Sequence, residues 1–78
     1  MVRILFFGAT AAVVGERVVE LPIESNSTSK NVFDSVLSKF PQLTSHKLLF
    51  SLNQNYSNGS EIVHDGDELA IFTAVSGG

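Results

Sequence analysis

One stretch of the chain repeats its apolar residues with a clear helical period. Val32, Phe33, Val36, Leu37 and Phe40 gather on one side of a cylinder, while Asp34, Ser35 and Ser38 lie elsewhere on it. Pro41 ends the stretch, because the residue before a proline is pushed out of helical angles. Upstream, Ser27, Thr28 and Ser29 are each able to cap the helix N-terminus. A helix with a single apolar face must lie across one face of a sheet, so the other apolar runs have to supply strands.

The flanking sequence provides them. Val2 to Phe7 is a compact apolar run interrupted only by Arg3, and it reads as a strand buried on both faces or nearly so. Gly8 breaks it. Ala9 to Val14 can form one or two helical turns, ending at Gly15 where left-handed geometry is wanted. Glu16 to Leu21 alternates as a second strand closed by Pro22, and Leu48 to Leu52 forms a third. Asn53 to Ser60 is rich in turn formers, with a tight turn expected at Asn58-Gly59. Ser60 to Val63 reads as a short fourth strand, His64 to Asp67 as another turn, and Glu68 to Phe72 as the last strand. A first hairpin, a crossover helix and further strands predict an α+β fold with a mixed sheet, its last strand parallel to its first. This is the β-grasp arrangement found in ubiquitin. Residues 1–78 read as one such domain, with 73–78 as a flexible C-terminal tail.

Seventy-eight residues allow one small hydrophobic core. Five basic against eight acidic residues give a net charge of −3, and the basic ones are scattered, which weighs against nucleic acid. No apolar run reaches the length that spans a bilayer. The N-terminal segment passes for a short signal peptide, but removing it would delete the most strand-like part of the chain. The chain has no cysteine. Disulfides, Cys-based zinc sites and Cys nucleophiles are therefore excluded, and a reducing cytosol is the expected location. Asn26, Asn55 and Asn58 match the glycosylation pattern, as chance allows in a chain rich in Asn and Ser.

The remaining titratable groups offer little catalytic chemistry. His46 and His64 have no metal-ligand spacing. Asp65-Gly66-Asp67-Glu68 lacks the ligand pattern of a cation loop and reads as a tight turn with a solvated acidic face, able to steer an electropositive partner. No glycine-rich phosphate loop is present. The aromatic residues point to contacts instead. Neighbouring strand residues face opposite sides, so Phe6 and Phe7 cannot both meet the helix. Phe7 and Phe72 are expected at a partner interface on the uncovered face.

The sequence closes on Val75-Ser76-Gly77-Gly78. A terminal glycine presents its carboxylate with no Cβ beside it, and glycine tolerates backbone angles closed to other residues. Such a tail can thread a narrow channel and offer its end to another enzyme.

Taken together, the opening Met1-Val2-Arg3-Ile4-Leu5-Phe6-Phe7-Gly8 with Val14-Gly15-Glu16, and the close Asp65 to Phe72 with Val75-Ser76-Gly77-Gly78, resemble the small, sulfur-carrying subunits of molybdopterin synthase. Phe40-Pro41-Gln42-Leu43 and Leu52-Asn53-Gln54 fit more loosely, so the likeness covers essentially the whole chain. It departs at Thr73-Ala74, where such subunits commonly carry a proline pair; without it the tail should be looser.

The resemblance implies a sulfur carrier. An activating enzyme adenylates the Gly78 carboxylate with ATP, and a sulfur donor protein converts the adenylate to a thiocarboxylate. The large catalytic subunit, in a heterotetramer, then receives the tail for sulfur transfer to cyclic pyranopterin monophosphate. Gly78 would carry the reacting group and Gly77 give it access, with Phe7, Phe72, Val75 and Ser76 contacting partners. The chain would bind no cofactor and supply no catalytic side chain. Two alternatives remain open: a sulfur carrier for thiamine thiazole or tRNA thiolation, and a ubiquitin-like protein modifier.

Overall fold

The computed structural model describes residues 1–73. Val75, Ser76, Gly77 and Gly78, the proposed tail contacts and reacting end, lie outside them. Among the described residues the order is β1 (Val2–Phe6), α1 (Ala9–Val14), β2 (Val18–Leu21), α2 (Ser29–Lys39), a 3₁₀ helix (Pro41–Ser45), β3 (Leu48–Leu52), β4 (Asn55–Tyr56) and β5 (Glu68–Thr73). The strands form one mixed sheet in the order β2-β1-β5-β3-β4. β1 and β5 run parallel, with Ile4 opposite Leu69 and Phe6 opposite Ile71, while β2 and β3 flank them antiparallel. This is the predicted β-grasp architecture.

The amphipathic helix α2 is capped by Thr28. Its hydroxyl accepts from the Asn31 backbone N–H, and the Asn31 side chain accepts from the Thr28 N–H in return. Val32 and Val36 are buried against the sheet, with Phe33, Leu37 and Phe40 packed beside them. Phe40 meets Phe6 edge-to-face at 5.7 Å, and Phe33 stacks on Phe50 at 4.5 Å. Gly15 closes α1 at φ 83°, the left-handed geometry that a Cβ would disfavour.

Three local expectations are corrected. β1 is buried on one face only: Val2, Ile4 and Phe6 enter the core, whereas Leu5 is half-buried and Phe7 is 54% exposed. Both helices cover the same side, so nothing in residues 1–73 covers the other.

The tight turn sits at Asn53-Gln54, not Asn58-Gly59. Both residues have positive φ, 50° and 72°, as a two-residue hairpin between β3 and β4 requires.

Residues 60–63 do not form a sheet strand. Their backbone pairs with the entry to α2 instead, the Ser29 N–H donating to the Glu61 carbonyl and the Val63 N–H to the Ser27 carbonyl. The Ser29 hydroxyl, fully buried, adds bonds to Ser57 at 2.6 Å and to the Glu61 carboxylate at 3.1 Å. One isolated bridge, Thr28 opposite Ile62, is all the pairing this segment makes.

Candidate functional site

Strand alternation places two sets of residues on opposite faces of the sheet. Ile4, Phe6, Leu69 and Ile71 meet the helices. Leu5, Phe7, Ala70 and Phe72 point the other way, joined by Ser51 of β3 and by Gln54 and Glu68 at the margin, and these seven line a cleft of about 400 Å³. Tyr56 of β4 stands over Phe72, its ring centroid 6.0 Å away in an edge-on arrangement. Leu49, opposite Phe72 on β3, and Val18 on β2 extend the apolar surface, each more than 40% exposed. Among the described residues this leaves a continuous apolar surface with no helix over it.

The face is graded along the strands. At the start of β1 and β5, Arg3 lies opposite Glu20 on one side and Glu68 on the other, and its guanidinium reaches the Glu68 carboxylate at 3.2 Å. At the far end stand Phe7 and Phe72. Because the two strands are parallel, the chain leaves β5 at this aromatic end, and the sequence continues from Thr73 towards Gly78.

Phe7 and Phe72, paired on sequence grounds, are thus brought to one cleft on the uncovered face. Leu5, Ser51, Leu49, Ala70 and Tyr56 were not anticipated. The period-two pattern already couples Leu5 to Phe7 and Ala70 to Phe72. Tyr56 carried no such signal, because its segment reads as turn until the hairpin is seen.

The acidic segment forms the expected turn. Asp67 accepts from the His64 backbone N–H at 2.7 Å and from the Asn53 amide at 3.1 Å, and these bonds hold its carboxyl below the ordinary carboxylate pKa, His64 contributing most. Asn53 in turn accepts from the Glu68 N–H at 3.0 Å, so the β3–β4 hairpin is tied to the start of β5. Glu61 is also shifted down, chiefly by the Ser57 hydroxyl. Both carboxylates anchor loops. No three His, Asp or Glu residues converge as metal ligands among the described residues, and no helix there is long and apolar enough to cross a membrane.

Comparison with known proteins places this geometry in a family. Residues 4–78 match the ThiS family. The molybdopterin synthase sulfur carrier subunit of Arabidopsis thaliana is 33% identical over 79 residues, an alignment covering 99% of this chain and 82% of that protein. Among solved structures, SAMP1 from Haloferax volcanii superposes with a TM-score of 0.87 at 26% identity, covering 99% of this chain and 98% of that one. Subunit 1 or 2 in the complex of the molybdopterin-converting factor subunits from Helicobacter pylori has the same fold, with a TM-score of 0.70 at 21% identity over 99% of this chain and 97% of that one. This chain therefore belongs to the ThiS family.

Proposed function

We propose that this protein is the sulfur carrier subunit of a molybdopterin synthase and that Gly78 carries the sulfur. One observation supports this above the others: the Arabidopsis relative, a carrier subunit by name, aligns with 99% of this chain. The chemistry at Gly78 follows from its carboxylate, since an α-carboxyl group is ionised at neutral pH. In an activating enzyme the carboxylate oxygen attacks the α-phosphorus of ATP, forming an acyl-adenylate and releasing pyrophosphate. Sulfur released by a donor protein at the hydrosulfide level attacks the acyl carbon, a C–S bond forming as the C–O bond to AMP breaks. This leaves the thiocarboxylate and divides one difficult substitution into two easier ones. The thiocarboxylate then passes its sulfur to the pterin precursor in the large subunit. This chain contributes the sulfur and the docking surface, with no side chain acting as acid or base.

Docking uses the cleft between Phe7 and Phe72, with Val75 and Ser76 following into the partner and Gly77 admitting the end of the chain. The Helicobacter pylori relative is named in a complex of subunits 1 and 2, the kind of pairing this assigns. The test is intact mass spectrometry after incubation with activating enzyme, ATP and a sulfur donor. The expected gain is that of one oxygen exchanged for one sulfur, mapped to Gly78. An unchanged mass under conditions that load a known carrier overturns the proposal.

A second reading has its own support. SAMP1 belongs to the small archaeal modifier proteins and shares 26% identity with this chain at a TM-score of 0.87. A modifier forms an amide from its terminal carboxyl to a lysine of another protein. Adducts that survive thiol reductants and carry a Gly-Gly remnant on lysine would establish this reading; a tail found only as free acid or thiocarboxylate would exclude it.

A further inference from the structure

Thr10 is a fully buried polar residue on the short helix α1, and its hydroxyl contacts two backbone carbonyls, one local and one from the far end of the chain. It lies 2.6 Å from the Phe7 carbonyl oxygen and 3.1 Å from that of Ile71. The Phe7 carbonyl belongs to the peptide unit leaving Phe7, and the Ile71 carbonyl to the unit entering Phe72. One side chain therefore bridges the two peptide planes next to the two aromatic rings of the open face. A hydroxyl has a single proton, so it is shared between the two oxygens or alternates between them, and either way it couples the units.

We infer that Thr10 is a positioning residue that sets the Phe7–Phe72 spacing for partner docking. The inference rests on the docking reading above. Two observations separate it from a general packing role. First, both carbonyls have other donors: the Thr10 N–H bonds to the Phe7 oxygen at 3.2 Å, and the Phe7 N–H to the Ile71 oxygen at 3.1 Å. Loss of the hydroxyl leaves neither oxygen orphaned, so the fold survives it. Second, the bridge crosses from α1 to β5 at the end of the sheet where the sequence continues towards Gly78. Relaxing it leaves the Phe7 N–H to Ile71 carbonyl bond in place, so the strands stay paired and the core stays closed. The carbonyl side of the Phe7 unit meanwhile loses its tie to β5 and with it the fixed spacing of the two rings.

The test measures binding of the full chain to the large subunit of its own molybdopterin synthase by calorimetry, beside thermal unfolding of the free chain. Thr10→Val keeps the shape and removes the hydroxyl; Thr10→Ser keeps the hydroxyl and removes a methyl. A net hydrogen bond of ordinary strength corresponds to a factor of about 3 to 10. Thr10→Val is expected to bind weaker by that factor, and Thr10→Ser to bind like the parent although it melts lower. If Thr10→Val does not fold, Thr10→Ala against Thr10→Ser isolates the hydroxyl, since both lack the methyl. Parent-like binding by the hydroxyl-free variants overturns the inference, as does binding that simply follows melting temperature. A parent chain that does not bind the large subunit at all defeats the docking reading itself, and the inference with it.

Discussion

Phe7 is more than half exposed and Phe72 half-buried on a surface that the helices do not cover. Truncating such a ring removes little from the folded state, so Phe7→Ala should change stability by no more than about 0.5 kcal/mol. If the face docks a partner, the same change should weaken binding by about 1–3 kcal/mol, as expected of an aromatic anchor. Denaturant unfolding and calorimetry on one preparation separate the two effects; equal losses in both would make Phe7 a structural residue. Asp67 argues the reverse case, a charge serving the fold. Its folded pKa lies below the ordinary 3.8, so its contribution is complete above 3.8 and is lost as pH falls through the folded value. Asp67→Asn should flatten that acid limb of the stability profile, measured as unfolding midpoints at stepped pH. An unchanged limb would assign it to Glu61, whose carboxyl is shifted in the same direction.

At the scale of the element, the β3–β4 hairpin is the least economical part of the sheet. Asn53 and Gln54 both hold positive φ, which suits Asn but strains Gln. Gln54→Gly should stabilise the domain by about 1 kcal/mol, read as a higher denaturant midpoint with an unchanged slope. A lower midpoint would mean that chain entropy in the unfolded state outweighs the relieved strain. The same hairpin shows where periodicity reaches its limit. β1 and β5 were legible as compact apolar runs, and α2 by the helical spacing of its apolar residues. β4 spans two residues and presents no repeat at all. The 60–63 segment presents strand-like residues, yet its backbone is claimed by Ser27 and Ser29, far off in sequence.

For the whole molecule, one thin core carries the stability. Ile4, Leu69 and Ile71 on the central strands are fully buried beneath Val36 and Leu43. Leu69→Ala should cost about 2–5 kcal/mol. A small domain holds only about 5–15 kcal/mol in total, and each kcal/mol lost lowers the melting temperature of a domain this size by about 4–8 °C, so the midpoint should fall by about 8 °C or more. Circular dichroism melting checks this, and a drop of only a few degrees would show that the helix layer collapses to fill the void. The sheet's other face adds nothing comparable to the core. Its apolar residues are therefore available for a partner without cost to the fold.

The sequence by itself determined the elements with a period, the β-grasp order, the parallel pairing of first and last strands, and Phe7 and Phe72 as a pair. The elements and the Phe7–Phe72 pair follow from local spacing, since a period states which side of an element is apolar. The order and parallel pairing follow from the crossover that a helix between strands requires. Spacing cannot state whether that side is then covered. Only the tertiary arrangement decided that both helices lie on one face, that Tyr56 joins Phe72 on the other, and that the Thr10 hydroxyl reaches the carbonyls beside both rings. Those outcomes depend on contacts between residues up to sixty-one positions apart, which no local pattern encodes.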